Sequence, residues 1–470
     1  MNSSKEKMDK KKVVVVGAGI TGLAVAYRLL KSGENFEVVV LEGEKQTGGK
    51  LITSRFAGLL LDEGADAFLA RVPWAKDLFD EVGISKEFVS PSSRSASIWA
   101  NGSLEPLPSP NVLGIPLDHD SLPSQLLDPG DFLKIKQGGR PSKALPEGTD
   151  VSIGSLVRDC VGDSVFELFV DPLLGGINAG VVDDMSCETM APQLLEAARH
   201  EEGLVAALRE TQQNSDSDSD SDLPVFYTHP NGMGHIVEKL TEQVSESIRK
   251  DSNVSSINRT DKQWVLETNA GSEIADAVVL ATSAQNAAKL LTSVSPTTSS
   301  RLSDIEHASV SLVSFAFKNS DINIPKDQSG FLVPRSTGML MTACSFSGNK
   351  WAHLDDGSQT LIRVSSGRID DQRHNALGDE ELVEHLIDDL AVTLGLDSQP
   401  LEFRVTRWPE ALAQFKIGHL QRMEETTELL ADEAPGVFIS GSYHFGVGIP
   451  ASVRSGNEAA ASVIEKFGTN

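Results

Sequence analysis

Short, almost wholly apolar runs stand near the start, in the middle and near the end of the chain, and the stretches between them follow other patterns. Lys11–Val16 ends in four consecutive valines, and Phe36–Leu41 is a second such run. Runs of this length without polar alternation predict strands buried on both faces of a parallel sheet. Between them, Leu23 to Lys31 carries apolar residues at Leu23, Ala26, Tyr27 and Leu30, which is helical spacing, and Gly33 suits the helix end. Ala277–Ala281 and Val437–Gly441 predict two more buried strands, and Ala451–Phe467 a closing helix.

The rest of the chain reads differently. Pro91 to Pro146 is rich in proline, serine and glycine, and its elements are hard to assign. Asp150 to about Arg209 predicts helices. The Ser/Asp tract Ser215–Asp222 has no apolar face to bury, which predicts a solvated loop. Pro230-Asn231-Gly232-Met233-Gly234 leads into an expected helix over His235–Arg249, and Val254–Ile257 with Trp264–Thr268 predicts a hairpin. Val310–Phe317, Gly330–Pro334, Leu340–Ser345 and Thr360–Ser365 suggest an antiparallel sheet, with an amphipathic helix over Glu380–Leu394. The expected class is α/β with α+β insertions. A Rossmann-like nucleotide domain, discontinuous in sequence, takes 11–90, 230–290 and 436–470. A mostly helical insertion takes 91–210, an acidic loop 211–223, and a mixed-sheet, substrate-binding domain 291–435.

Composition narrows the class. The 470 residues exceed what one hydrophobic core supports, and 40% apolar with 23% charged residues is ordinary for a soluble globular protein. The net charge of −26 makes nucleic acid and anionic membrane surfaces poor partners. No stretch approaches the ~20 apolar residues that span a bilayer, and the lysine-rich start shows no signal-peptide core. Cys160, Cys187 and Cys344 stand at no metal-ligand spacing, so reduced thiols in a cytoplasmic protein are expected, with no metal site.

The chemistry enters at Gly17-Ala18-Gly19-Ile20-Thr21-Gly22. This G-x-G-x-x-G string is weak alone and strong in its place, between an apolar strand and a helix. Gly17 permits the tight turn, Gly19 the close approach of a pyrophosphate, and Gly22 close packing of helix on strand. The helix N-terminus offers unpaired N–H groups to the phosphates. Glu42, at the end of the second strand and followed by Gly43, can accept the hydroxyls of a ribose and disfavours a 2′-phosphate. Gly48-Gly49-Lys50 lets the chain fold over an extended dinucleotide, in the manner of FAD-dependent amine oxidases and their relatives. Near the other end, Phe445-Gly446-Val447-Gly448-Ile449-Pro450 opens the last helix, whose N–H groups can face the flavin N1–C2=O edge.

With these strings in view, the chain resembles the porphyrinogen oxidases of haem synthesis, over about Lys11 to Phe467, and most of all the soluble type of Bacillus-like bacteria. Glu63-Gly64-Ala65-Asp66-Ala67-Phe68-Leu69, Pro172–Gly180, Thr406-Arg407-Trp408 and Gly446–Pro450 carry the resemblance with the glycine motifs. It implies that Gly17, Ala18, Gly19, Ile20, Thr21, Gly22, Glu42, Gly43, Gly49 and Lys50 contact the pyrophosphate and ribose of FAD. It implies that Gly64, Ala65, Asp66 and Ala67 form the loop beside the flavin, that Val254 meets the adenine through its backbone, and that Trp408, Val447, Gly448 and Ile449 surround the isoalloxazine. Where relatives often carry an arginine before the paired glycines, this chain has Gln46.

The activity implied is oxygen-dependent, six-electron oxidation of coproporphyrinogen III, with flavin N5 as hydride acceptor and no side-chain base identified. A tetra-anionic substrate calls for cations, and Arg71, with Arg94 and Lys416 behind it, is the leading candidate. Phe68, Leu69, Ile177 and Phe346 are candidate lining. The resemblance extends to transient contact with other haem-synthesis enzymes and to peripheral membrane contact. Protoporphyrinogen IX oxidation, amine oxidation or desaturation, and a non-catalytic flavin scaffold are the competing readings; the chain has only three tyrosines with which to build an amine-oxidase cage.

Overall fold

The computed structural model describes residues 10–93, 95–119, 122, 126–217 and 224–468. Strand β1 (Lys11–Val16), helix α1 (Ile20–Lys31) and strand β2 (Phe36–Leu41) open the chain as the sequence predicts. β1 is central in a five-stranded parallel sheet, between β2 and Ala277–Leu280, with Val437–Ile439 and Ile248–Arg249 on the outer edges. Both faces are covered. Val13 and Val15 pack with α1 and the closing helix Ile449–Phe467, while Val14 and Val16 pack with Trp264, Leu280 and Met423. That two-sided burial explains why β1 and β2 read as apolar runs broken only by Lys11, Lys12 and the exposed Glu37 at their outer ends. The closing helix lies directly on α1, where a side chain at Gly456 would meet the Thr21 carbonyl oxygen at 2.6 Å.

A seven-stranded mixed sheet runs in the order Glu402–Ala413, His307–Lys318, Gln359–Ser366, Met341–Phe346, Gln328–Leu332, Ser95–Ala100, Ser103–Pro106. One face carries the helix Asp379–Leu394 through Leu382, Leu386 and Leu390. The opposite face meets the hairpin Thr53–Phe56/Leu59–Asp62 through Leu361 and Ala316. A separate helical core joins Ile153, Leu156, Phe166, Phe169, Leu194 and Leu208.

Four details differ from the sequence reading. Ser95–Ala100 and Ser103–Pro106, within the stretch expected to be mostly helical, join the mixed sheet. Their turn is Asn101-Gly102, both with positive φ, the two-residue hairpin signature that the surrounding proline and serine obscured. The expected helix over His235–Arg249 runs over Met233–Gln243, and Ile248–Arg249 pairs with β2 instead. Gly271–Ala275 adds a third strand to the expected hairpin. The helix Leu204–Ser217 enters the Ser/Asp tract, whose residues 218–222 lie outside the described residues.

Candidate functional site

The site is built first from backbone. Gly17 has φ +100, and a Cβ there would stand 2.6 Å from the Ala281 carbonyl oxygen; a Cβ on Gly22 would collide with the Gly17 carbonyl. At Gly19 nothing lies within 4 Å of where a Cβ would be. The turn is thus filled on its protein side and open on the other. Gly19 is the N-cap of α1 and supplies no side-chain cap, and the first turn holds no acidic residue. The closing helix repeats the arrangement, with Gly448 as an uncapped N-cap and Pro450 in the first turn. Elsewhere Ser152, Ser186 and Ser283 cap short helices, while Gly232, Gly378 and Gly418 precede Met233–Gln243, Asp379–Leu394 and His419–Glu433 without a side-chain cap. Among the uncapped ends, those of α1 and the closing helix are the ones that fall where the sequence reading puts the dinucleotide.

The second glycine turn lies on the first. Gly48 N–H donates to the Ala18 carbonyl at 2.8 Å, and Gly49 approaches the Gly19 Cα. Gly48 and Gly49 both have positive φ, which the contact requires. Glu42 folds back from the end of β2, where its carboxylate accepts the Ala18 amide at 2.7 Å and the Glu44 amide at 2.9 Å. Ser252 N–H donates to the Glu42 carbonyl at 2.7 Å, which brings Val254 and its neighbours against Glu42 and Gly43.

In the loop over Gly64–Ala67, Ala65 is exposed and Gly64, Asp66 and Ala67 are half-buried. Gly64 packs against the Lys50 carbonyl and Trp408, where a Cβ would not fit. Trp408 Nε1 donates to the Glu63 carbonyl at 2.9 Å. The Lys50 ammonium donates to the Ala411 carbonyl, and its surroundings push its pKa down to about 8. Desolvation of the ammonium is the cause, although Lys50 as a whole residue is exposed. The Asp62 carboxyl is raised to about 6 by burial, against the hydrogen bonds from Thr53 and the Met233 amide that favour its ionised form. Asp66 turns from the site: its carboxylate accepts Lys350 Nζ at 2.8 Å and Trp351 Nε1 at 3.0 Å. Burial alone would raise Asp66, but Lys350, Arg363 and these hydrogen bonds outweigh it and hold the group well below the usual carboxylate range.

Val447 is half-buried and Gly448 exposed at the head of the closing helix, while Ile449 is buried. His419, from the helix His419–Glu433, contacts the Tyr443 and His444 carbonyls through Nε2 at 2.8 and 3.2 Å. Burial lowers its pKa to about 4, so the ring is neutral at pH 7.

On the substrate side the residues divide. Ile177 is 49% exposed on the helix Asp171–Asn178, and Arg71 is exposed. Phe346 is fully buried beneath the mixed sheet and lines nothing, because the strand alternation turns it toward the helix Asp379–Leu394. Phe68 is likewise core, in edge contact with Phe79 and Phe88. Leu69 is exposed, Lys416 is paired with Glu306 at 2.6 Å, and Arg94 lies outside the described residues.

Sequence reasoning missed the side chains that hold the site together. Arg363 reaches the Gly64 carbonyl, and Arg335 binds Asp171 at 2.9 Å, Asp370 and the Gly180 carbonyl, tying the Ile177 helix to the sheet. Isolated arginines in strands and loops give no local signal of such reach. Among the described residues one group of potential metal ligands, Glu87, His229 and His235, converges within 4.8 Å. The Asn231 amide donates to His229 Nδ1, so the neutral ring keeps its proton on Nε2, the atom facing Glu87. That atom has no lone pair for a metal.

Comparison with known proteins places this geometry. The family model described as "Flavin containing amine oxidoreductase" matches residues 20–464. A coproporphyrinogen III oxidase of Bacillus subtilis is 28% identical over 467 residues, covering 97% of this chain and 98% of that protein. A coproporphyrinogen III oxidase of Mycobacterium tuberculosis is 31% identical over 460 residues, with 97% and 98% covered. A solved structure assigned as a protoporphyrinogen oxidase, from Exiguobacterium sp. 255-15, superposes with a TM-score of 0.87 at 28% identity, covering 98% of this chain and all of that one. The chain belongs to the flavin-containing amine oxidoreductase family, on its branch of coproporphyrinogen III and protoporphyrinogen oxidases.

Proposed function

We infer that this chain is an FAD-dependent enzyme that oxidises coproporphyrinogen III to coproporphyrin III with O2 as electron acceptor. The observation that carries the reading is the near full-length match at 28–31% identity to oxidases of that substrate, on a fold whose two long helices end in uncapped amides around paired glycine turns. FAD is the cofactor of the family. When bound, the flavin supplies the two-electron acceptor for three successive dehydrogenations of the macrocycle.

The chain's own residues then divide the remaining work. Gly17–Gly22 and the free end of α1 bind the pyrophosphate, Glu42 and Gly43 the ribose, and the backbone at Val254 the adenine. Gly49, Lys50, Gly64–Ala67, Trp408 and Val447–Ile449 border the isoalloxazine. Asp66 serves through its backbone, its side chain being committed to Lys350 and Trp351. Ile177 offers an apolar wall to the macrocycle and Arg71 a cation to a propionate. The three buried, unpaired cysteines suit a reducing, cytoplasmic setting. Among the described residues no helix is long and apolar enough to cross a membrane. Transient contact with the enzymes before and after this step belongs to the same reading.

The test supplies purified holoprotein with coproporphyrinogen III and protoporphyrinogen IX separately and follows porphyrin fluorescence. Faster turnover of the four-propionate substrate is expected. A preference for the two-propionate substrate would transfer the assignment to protoporphyrinogen oxidation.

A further inference from the structure

The loop beside the flavin is fixed from a different part of the fold. Arg363 stands in the strand Gln359–Ser366, whose buried neighbours Ile362 and Val364 face the helix Asp379–Leu394 while Leu361 faces the hairpin that ends at Asp62. Alternation puts Arg363 on the Leu361 side. Its guanidinium donates to the Gly64 carbonyl and, at 3.4 Å, to the Asp62 carbonyl. The carbonyl between them, that of Glu63, accepts Trp408 Nε1 at 2.9 Å. Three consecutive carbonyls are thus held by side chains about 300 and 345 positions away in sequence. Across a trans peptide each carbonyl opposes the next amide. Accordingly the Glu63 amide points back to the Ile52 carbonyl at 2.8 Å.

Arg363 also differs from its neighbour Arg404. Arg404 pairs with Glu63 at 3.5 Å and ties Ser54 and the Arg55 carbonyl, on the hairpin itself. Among the described residues Arg363 has no carboxylate within ion-pair distance, and the hydrogen bonds it makes go to the loop backbone. A guanidinium suits this task because its planar fork addresses two carbonyls in fixed geometry, which a single ammonium does not.

We propose that Arg363 is a positioning residue for the flavin site: by bridging the Asp62 and Gly64 carbonyls it sets the course of the loop that carries Gly64–Ala67 against the isoalloxazine. The proposal rests on the flavin reading above. It is tested on holoprotein of the full chain. Wild type, Arg363→Gln, Arg363→Lys and Arg404→Gln are each serially diluted, and released FAD is read by its fluorescence beside the visible flavin band. Arg363→Gln is expected to release FAD at roughly tenfold higher protein concentration, the loss that follows from one or two backbone hydrogen bonds, with a displaced visible band. Arg363→Lys keeps the charge without the fork and is expected to weaken binding several-fold; it also serves if the glutamine variant does not fold. Arg404→Gln is expected to stay near wild type. Retention of FAD at the wild-type level by both Arg363 variants overturns the proposal, as does a loss in Arg404→Gln equal to that in Arg363→Gln. A wild-type chain that holds no FAD would sink the flavin reading instead.

Discussion

The glycine turn at Gly17–Gly22 and the loop at Asp62–Ala67 both lean on the Gly48–Lys50 segment and are held in opposite ways. The turn is held by what its residues lack. Gly17 and Gly22 close on each other and on Ala281 because neither has a Cβ, and the contacts come from residues of the same small βαβ unit or the strand beside it. The loop is held by what distant residues supply: a guanidinium from one strand, an indole from another, and an ion pair between Asp66 and Lys350. A site half made of local backbone and half of imported side chains should therefore fail in two distinct ways.

The turn should give the largest effect. Gly22→Ala places a methyl group on the Gly17 carbonyl, and the Gly17 backbone with the Ala281 Cβ beside it leaves no room to yield. A cost of about 3 kcal/mol, the upper end for overpacking, is expected in a melt, with little FAD retained. Gly19→Ala is the informative partner. Its φ of −70° and ψ of 176° suit any residue, and nothing stands within 4 Å of the new methyl. As apoprotein it should melt like the wild-type apoprotein and yet fail to take up FAD, if the open side receives the pyrophosphate as proposed. Equal FAD content in Gly19→Ala and wild type would mean that the open side of this turn faces no ligand.

These contrasts also explain how much was legible. The parallel sheet was readable because both faces of β1 and β2 are buried, so each strand announces itself without reference to partners. Gly17, Gly19, Gly22 and Glu42 were readable because strand, turn and helix are contiguous. Phe346 was misjudged as lining because an apolar residue at a strand end looks the same whichever face it takes; only the position of the helix Asp379–Leu394 decides that it is core. Arg363 and Lys350 were missed because their partners lie about 300 and 284 positions away, and no local pattern encodes which carbonyl an arginine will reach.

The loop side should carry a pH dependence that the turn side does not. Asp62 accepts the Met233 amide at the head of the helix Met233–Gln243 and the Thr53 hydroxyl at 2.5 Å, and burial raises its pKa to about 6. A carboxyl whose folded pKa lies above its unfolded value near 4 binds a proton more tightly when folded. Its contribution is complete below pH 4 and is lost as pH rises through 6. The shift corresponds to roughly 3 kcal/mol at most. Asp62→Asn keeps an acceptor and removes the titration. The wild type should therefore gain on the variant as pH falls from 7 to 5, read as the difference in Tm at each pH. A constant difference would show that Asp62 is ionised throughout, its two hydrogen bonds outweighing burial.

The smallest effect asks whether the imported contacts act singly or together. Trp408→Phe removes the donor to the Glu63 carbonyl and keeps most of the ring's packing on Gly64. One neutral hydrogen bond of this kind contributes about 1 kcal/mol net, so a roughly fivefold weaker hold on FAD is expected. Combined with Arg363→Gln the losses should not add. Glu63 and Gly64 are adjacent peptides, and releasing one carbonyl lets the next relax, so the second substitution costs less than it does alone. Strict additivity would mean that each carbonyl is anchored independently. The loop would then resemble the glycine turn, fixed residue by residue, and the contrast between the two halves of the site would lie in where their contacts come from and not in how they cooperate.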